Sequence, residues 1–236
     1  MGKKKVMAAS FTTSRRAREL LWLLRLSSPA LPVGAYSYSQ GLEWAVEAGW
    51  MEDELSVAAW IEEHLTLVLG RFELPLLAAA LRAWARGEDT EALRLNTHYL
   101  ASRETRELRD ETVQMGYSLV ALARQLPEFS GLPLEEREWA YPVALSRLAA
   151  ALRLGEVDLL HGYAFAWLEN QAAAAIKAMP LGQVAAQRLL SALSVLIPNT
   201  CEAALALPEA AWCSSAPGLA LASSLHETQY TRLFRS

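Results

Sequence analysis

Cysteine is nearly absent from this 236-residue chain: Cys201 and Cys213 are the only two, and no C-x-x-C pair occurs. Neither a disulfide framework nor a cysteine zinc site is supported, and two thiols suit a reducing compartment. An excess of positive charge is also missing. Lys and Arg number 22 against 26 Asp and Glu, a net charge of -4, which excludes a surface built to coat nucleic acid. No uninterrupted apolar run reaches the roughly eighteen residues of a bilayer span. The longest, around Leu74 to Leu81, is interrupted by Pro75, so no membrane partner is expected. The opening MGKKKVMAASFTTS has the basic residues of a signal peptide without the apolar stretch behind them, and Val6 stands where N-myristoylation wants Ser or Thr. Residues 1–14 read as a disordered or added N-terminus, and the chain as cytoplasmic.

Catalytic signatures are missing too. A Walker loop needs Gly-Lys-Ser/Thr behind a glycine-rich turn, and the one Gly-Lys pair is Gly2-Lys3. Di-iron bundles need two Glu-x-x-His pairs, against the single Asp158 and His161 here. His226-Glu227-Thr228-Gln229-Tyr230 places Tyr where a zincin needs its second imidazole. There is no G-x-S-x-G elbow. His64, His98, His161 and His226 are widely separated, so neither a metal nor a cofactor is expected. The alternative from the enzyme class is a helical protein whose site is assembled from dispersed carboxylates and histidines.

What is present is helix-forming. Ala, Leu, Glu and Arg dominate and alternating β-branched stretches are absent, which predicts an all-α, single-domain bundle of roughly eight to ten helices followed by a C-terminal tail. Length alone allows one sizeable domain or two small ones, and no long Gly/Ser linker divides the chain. Leu55, Ala58, Ile61, Leu65, Val68 and Phe72 recur at helical spacing, with Asp53 placed to cap that helix. Leu108, Thr112, Met115, Leu119, Leu122 and Leu126 repeat the pattern in a long helix predicted from about Thr90 to just before Pro127. Glu156 to Met179 is apolar or small on nearly every face and belongs at the centre. Pro180 and Gly182 punctuate the chain, Gln183 opens the next helix, and Pro198 should kink or end it. Composition shifts after Pro208, giving a helical domain over 15–208 and a tail over 209–236 that packs on it.

Several segments exceed what folding requires. Ser27 to Trp44 reads as a Pro-punctuated loop entering a short helix, with Ser37 and Gln40 at capping-box spacing and Gly49 as its C′ residue. Tyr36 and Tyr38 at the loop end could seal a core or offer hydroxyls to a partner. The run Arg103 to Glu111 pairs Arg103 with Glu107 and Arg106 with Asp110 at i, i+4, either a solvated face or an interface. Lys177 falls in the last turn of the central helix, where a cation complements the dipole. In the closing HETQYTRLFRS, Tyr230, Leu233 and Phe234 alternate with His226, Glu227, Arg232 and Arg235, a composition typical of interface anchors.

ALPVGAYSYSQGLEWAVEAGW, RETRELRDE and SSLHETQYTRLFRS together resemble the UreF family of urease accessory proteins, and the likeness spans most of residues 20–236. The resemblance implies a non-catalytic, all-helical, cytoplasmic subunit that dimerises and serves nickel delivery to urease. It implies binding to the UreD or UreH accessory subunit, recruitment and regulation of the GTPase UreG, engagement of apo-urease and a share in a passage for nickel. Carried onto this chain, the partner-facing candidates are Tyr36, Tyr38, Lys177, Gln183, His226, Glu227, Gln229, Tyr230, Arg232, Phe234 and Arg235. Ala35 departs from the Gly common at that point of the motif, and Lys3 to Lys5 lie outside the likeness.

Overall fold

A computed structural model describes residues 14–236. The expectation for residues 1–13 lies outside the described residues. Ser14 belongs to the fold, because its side chain accepts the Ala17 amide and caps the first helix. The α-helices are α1 (Arg15–Leu26), α2 (Leu42–Glu47), α3 (Glu54–His64), α4 (Leu74–Arg86), α5 (Asp89–Ala101), α6 (Arg106–Ala123), α7 (Tyr141–Leu152), α8 (Glu156–Ala178), α9 (Gln183–Leu193), α10 (Ile197–Ala206) and α11 (Pro217–His226). A π-helical stretch, Leu65–Glu73, joins α3 to α4, and a 3-10 turn, Ser194–Leu196, joins α9 to α10. Nine continuous helices result, with no strand among the described residues, and the all-α bundle is therefore what the composition encodes.

The core lies between α4, α7 and α8. Leu74, Leu76, Leu77 and Ala80 of α4 are fully buried, as are Val143 and Ala144 of α7 and Leu160, Ala164 and Leu168 of α8. Each buried leucine contributes about 1.5–3 kcal/mol relative to exposure. Helix α8 packs against α1, α2, α4, α9 and α10, the central place its all-round apolar face predicts. At Gly116 of α6 a side chain has no room, because the Trp139 backbone fills the space a Cβ would take.

Local signals set many boundaries. Asp53 and Ser56 form a reciprocal capping box at the start of α3, Gly49 adopts φ +74° beyond α2, and Gly182 precedes α9. Pro198 sits in the first turn of α10, directly after the 3-10 turn Ser194–Leu196, so it marks a break in the α pattern inside the rod 183–206 rather than the rod's end.

Other expectations are corrected by tertiary contacts. The helix predicted from Thr90 to Pro127 is two, α5 and α6, broken at Ser102–Thr105. There Arg103 turns inward to Glu73, and Thr105 caps α6 by accepting the Leu108 amide. Arg103 therefore does not pair with Glu107, whereas Arg106 and Asp110 do meet, at 3.3 Å. Leu55 is 79% exposed, and Val57 takes its place on the buried face of α3. Ser37 and Gln40 form no capping box. Gly41 precedes α2 in the left-handed region, and Ser39 supplies the local bond by accepting the Glu43 amide.

The helix over 54–86 and the helix over 183–206 are each long and apolar enough to cross a membrane, although neither is an uninterrupted apolar run. The most apolar window of the first is 78% buried in the fold, as a core helix must be. That of the second is only 33% buried.

Candidate functional site

The first loop, α2, the start of α6 and the chain after α11 converge on one face, where buried carboxylates hold the tail. Glu43, at 6% exposure, accepts the main-chain amides of Leu233 at 2.6 Å and Phe234 at 2.9 Å. Glu107 accepts Arg232 at 2.6 Å. His226 is fully buried, with Nδ1 2.6 Å from Glu107 and Nε2 3.3 Å from Glu43. Glu227 accepts the Arg106 amide at 2.9 Å and so satisfies an orphan donor at the start of α6. The Ser236 main-chain oxygen accepts the Ser39 and Gln40 amides, at 2.5 and 3.0 Å, and the Ser39 hydroxyl at 2.7 Å. Gly41 lets these segments close: at φ +80°, a Cβ there would stand 3.0 Å from the Ser223 nitrogen.

The candidate residues divide in two. Tyr36, Lys177 and Phe234 come together, with the ammonium 5.9 Å from the Tyr36 ring and 5.4 Å from the Phe234 ring. Tyr36 is 65% exposed and Tyr230 completely so, and Arg232 and Arg235 are exposed as well. Gln229 reaches Glu47 at 2.5 Å. Gln183 is exposed at the start of α9. His226, Phe234 and Tyr38 are buried, so in this conformation they hold the tail and loop rather than face outward. Burial, then the charge of Glu111, pushes the Tyr38 hydroxyl up.

Beneath this face lies a cavity of about 80 Å³ that sequence reasoning missed. The π-helical stretch turns Glu73 into it. Glu73 accepts the Tyr99 hydroxyl at 2.9 Å, the Tyr163 hydroxyl at 2.8 Å and Arg103 Nη1 at 2.9 Å, and the guanidinium lies 4.3 Å from the Tyr99 ring centre. Burial drives both hydroxyls well above the usual tyrosine range. Arg103 Nε has no hydrogen-bond partner among the described residues. The space suits water, since one molecule needs only about 10–15 Å³ of it. Glu111, bonded to Gln40 at 2.8 Å and the Ser236 hydroxyl at 3.0 Å, is pushed up to about 7, chiefly by burial. It also lines an open surface cleft of about 600 Å³ with Glu107, Asp110 and Glu227, and so stands in the wall between cavity and cleft. The π stretch was the available signal only in hindsight, because Glu73 reads in sequence as an ordinary polar break in an apolar run.

Among the described residues no three of His, Cys, Asp and Glu stand together so as to hold a metal ion. His64 is buried with Nδ1 against the Trp60 carbonyl, and burial pushes it down to about 4. His98 stacks on Trp212. The Cys201 thiol is buried and pushed up to about 12.

A family model named UreF matches residues 51–194. A urease accessory protein UreF from Azoarcus sp. (strain BH72) is 57% identical over 223 residues, covering 92% of this chain and 95% of the relative. The chain belongs to the UreF family. Its counterpart from Dechloromonas aromatica (strain RCB) is 46% identical over 223 residues, covering 92% of this chain and 98% of the relative. A bifunctional urease accessory protein UreEF of Bordetella bronchiseptica is 45% identical over 248 residues, covering 97% of this chain and 54% of that longer protein. The resemblance carried by the two end motifs and RETRELRDE thus extends over nearly the whole UreF-family chain.

Proposed function

We propose that this UreF-family chain is a non-catalytic, cytoplasmic scaffold for nickel insertion into apo-urease, acting as a homodimer that binds a UreD/UreH-type subunit and recruits and regulates the GTPase UreG. The observation that carries the proposal is the tail-capped face, where Lys177 stands over the rings of Tyr36 and Phe234, 198 positions apart, and Tyr230 and Leu233 of the same tail are fully or largely exposed. Exposed aromatic, leucine and arginine side chains on a hydrogen-bonded framework make a preordered docking surface, and such residues concentrate binding energy. On this reading 15–208 is the helical domain and 209–236 its partner-binding segment.

The weakly buried rod 183–206, with Val184 and Val195 exposed, supports a dimer surface in the later half of the chain. The cavity and the cleft that share Glu111, the cleft lined by Glu107, Asp110 and Glu227 as well as by Arg106 and Arg235, support a share in a nickel passage, with nickel as cargo. The fused Bordetella relative suggests that a UreE-type partner works close by.

Purified chain should co-elute with UreD-type and UreG-type subunits. Tyr230→Ala/Leu233→Ala should weaken binding of the first, and Tyr36→Ala or Lys177→Ala recruitment of the second, each about tenfold with melting nearly unchanged. Equal losses of binding and thermal stability would make these residues part of the core. Turnover by the chain alone would favour the helical-enzyme alternative.

A further inference from the structure

Helix α1 has two apolar faces. Trp22, Leu23 and Leu26 face the bundle: Leu26 is buried, Trp22 packs edge-on to Phe129 with ring centres 5.6 Å apart, and Leu23 fits against Gly162 of α8, where a Cβ would stand 2.8 Å from Leu23 Cδ1. Leu20, Leu21 and Leu24 point the other way and are 54%, 62% and 58% exposed. At about 100° per residue these three lie within an arc of about 100°. Arg16 borders that arc on one side, and Arg18 and Arg25 border it on the other, all three exposed. The helix holds four arginines and one acid, Glu19, which is already paired with Arg15 at 2.7 Å, in a chain whose net charge is -4. Core packing does not require this second stripe, and solubility disfavours it.

We infer that the outer face of α1 is a second docking surface, and that its occupant is an apolar groove rimmed by carboxylates on a protein partner. Leucines at i, i+1 and i+4 are the anchors of a helix laid in a groove, and arginines on both flanks select an acidic rim. The charge pattern argues against the chain's own first residues as occupant, because Lys3, Lys4 and Lys5 carry the same sign. It argues equally against a second copy of α1. An anionic membrane would meet the net negative charge of the whole molecule as well as the helix.

This surface rests on the accessory-complex reading, so the UreD/UreH-type subunit is the probe. Its Kd for the purified full chain is measured at low and high salt. Leu20→Ser/Leu24→Ser should raise Kd about tenfold or more. Arg16→Glu/Arg18→Glu, which alters only exposed side chains and is therefore safe for folding, should raise Kd at low salt and flatten the salt dependence. Wild-type chain that binds the subunit no more tightly than both variants do overturns the α1 surface and leaves the tail surface standing. Wild-type chain that does not bind at all overturns the complex and this surface with it. Wild-type adsorption to phosphatidylcholine–phosphatidylserine vesicles, or wild-type self-association, that either variant abolishes would assign the face to a membrane or to a second copy and overturn the proposal.

Discussion

Glu111 is a carboxylate held at the junction of a buried cavity, an open cleft and the end of the tail. Burial is the largest cause of its rise to about 7, and the nearby charge of Glu73 adds to it against the hydrogen bonds from Gln40 and Ser236. A carboxyl group whose folded pKa exceeds its unfolded value binds more protons in the native state between the two values. Stability therefore falls as pH rises from about 4.5 to about 7 and stays reduced above that, by roughly 3 kcal/mol at most. Glu111→Gln removes that penalty. Its melting temperature relative to wild type should climb between pH 5 and pH 8, as read by thermal melts across that range, and a difference independent of pH would contradict the assignment. The neighbouring ion pair behaves differently. Glu73 and Arg103 are both almost fully buried, so removing one partner strands the other, and Arg103→Met should cost about 3–5 kcal/mol by urea denaturation. A loss below about 1 kcal/mol would mean that water reaches the pair.

At the scale of elements, caps and breakers were legible in sequence. Asp53, Gly49, Gly182 and Gln183 mark ends or starts as their local chemistry dictates, and the all-round apolar character of Glu156 to Met179 announces a central helix. What was illegible depends on distant partners. The break between α5 and α6 exists because Arg103 pairs with a residue 30 positions earlier, and nothing within RETRELRDE reveals that. Tyr38 could either seal a core or offer its hydroxyl to a partner, and His226 stands among the partner-facing candidates; interface and core share these residue types, and only the packed tail shows that both are buried in this conformation. Nothing in the sequence reveals that Lys177 stands over the rings of both Tyr36 and Phe234. Thr105 carries the break between helices, since its hydroxyl accepts the Leu108 amide and lies 2.7 Å from the Ser223 hydroxyl. Thr105→Val keeps the shape and removes both bonds, and should destabilise by about 1–3 kcal/mol in urea titrations. Amide exchange should rise first in α6 and α11, and uniform exchange across the bundle would place the effect elsewhere.

Across the whole molecule, a rigid core of α4, α7 and α8 carries three kinds of surface: the tail-capped face, the outer stripe of α1 and the sparsely buried rod 183–206. Its interior contains no metal cluster among the described residues, and its polar groups hold the tail in place. On the proposed scaffold reading, the protein acts by what it touches. The most direct test is urease maturation in a host lacking its own UreF-family protein, complemented with this chain and its native urease system. Tyr36→Ala/Lys177→Ala and Tyr230→Ala/Leu233→Ala, expressed at wild-type levels, should leave urease protein abundant but its nickel content and activity several-fold lower. Wild-type nickel content and activity from both variants would contradict the claim that this face performs the function.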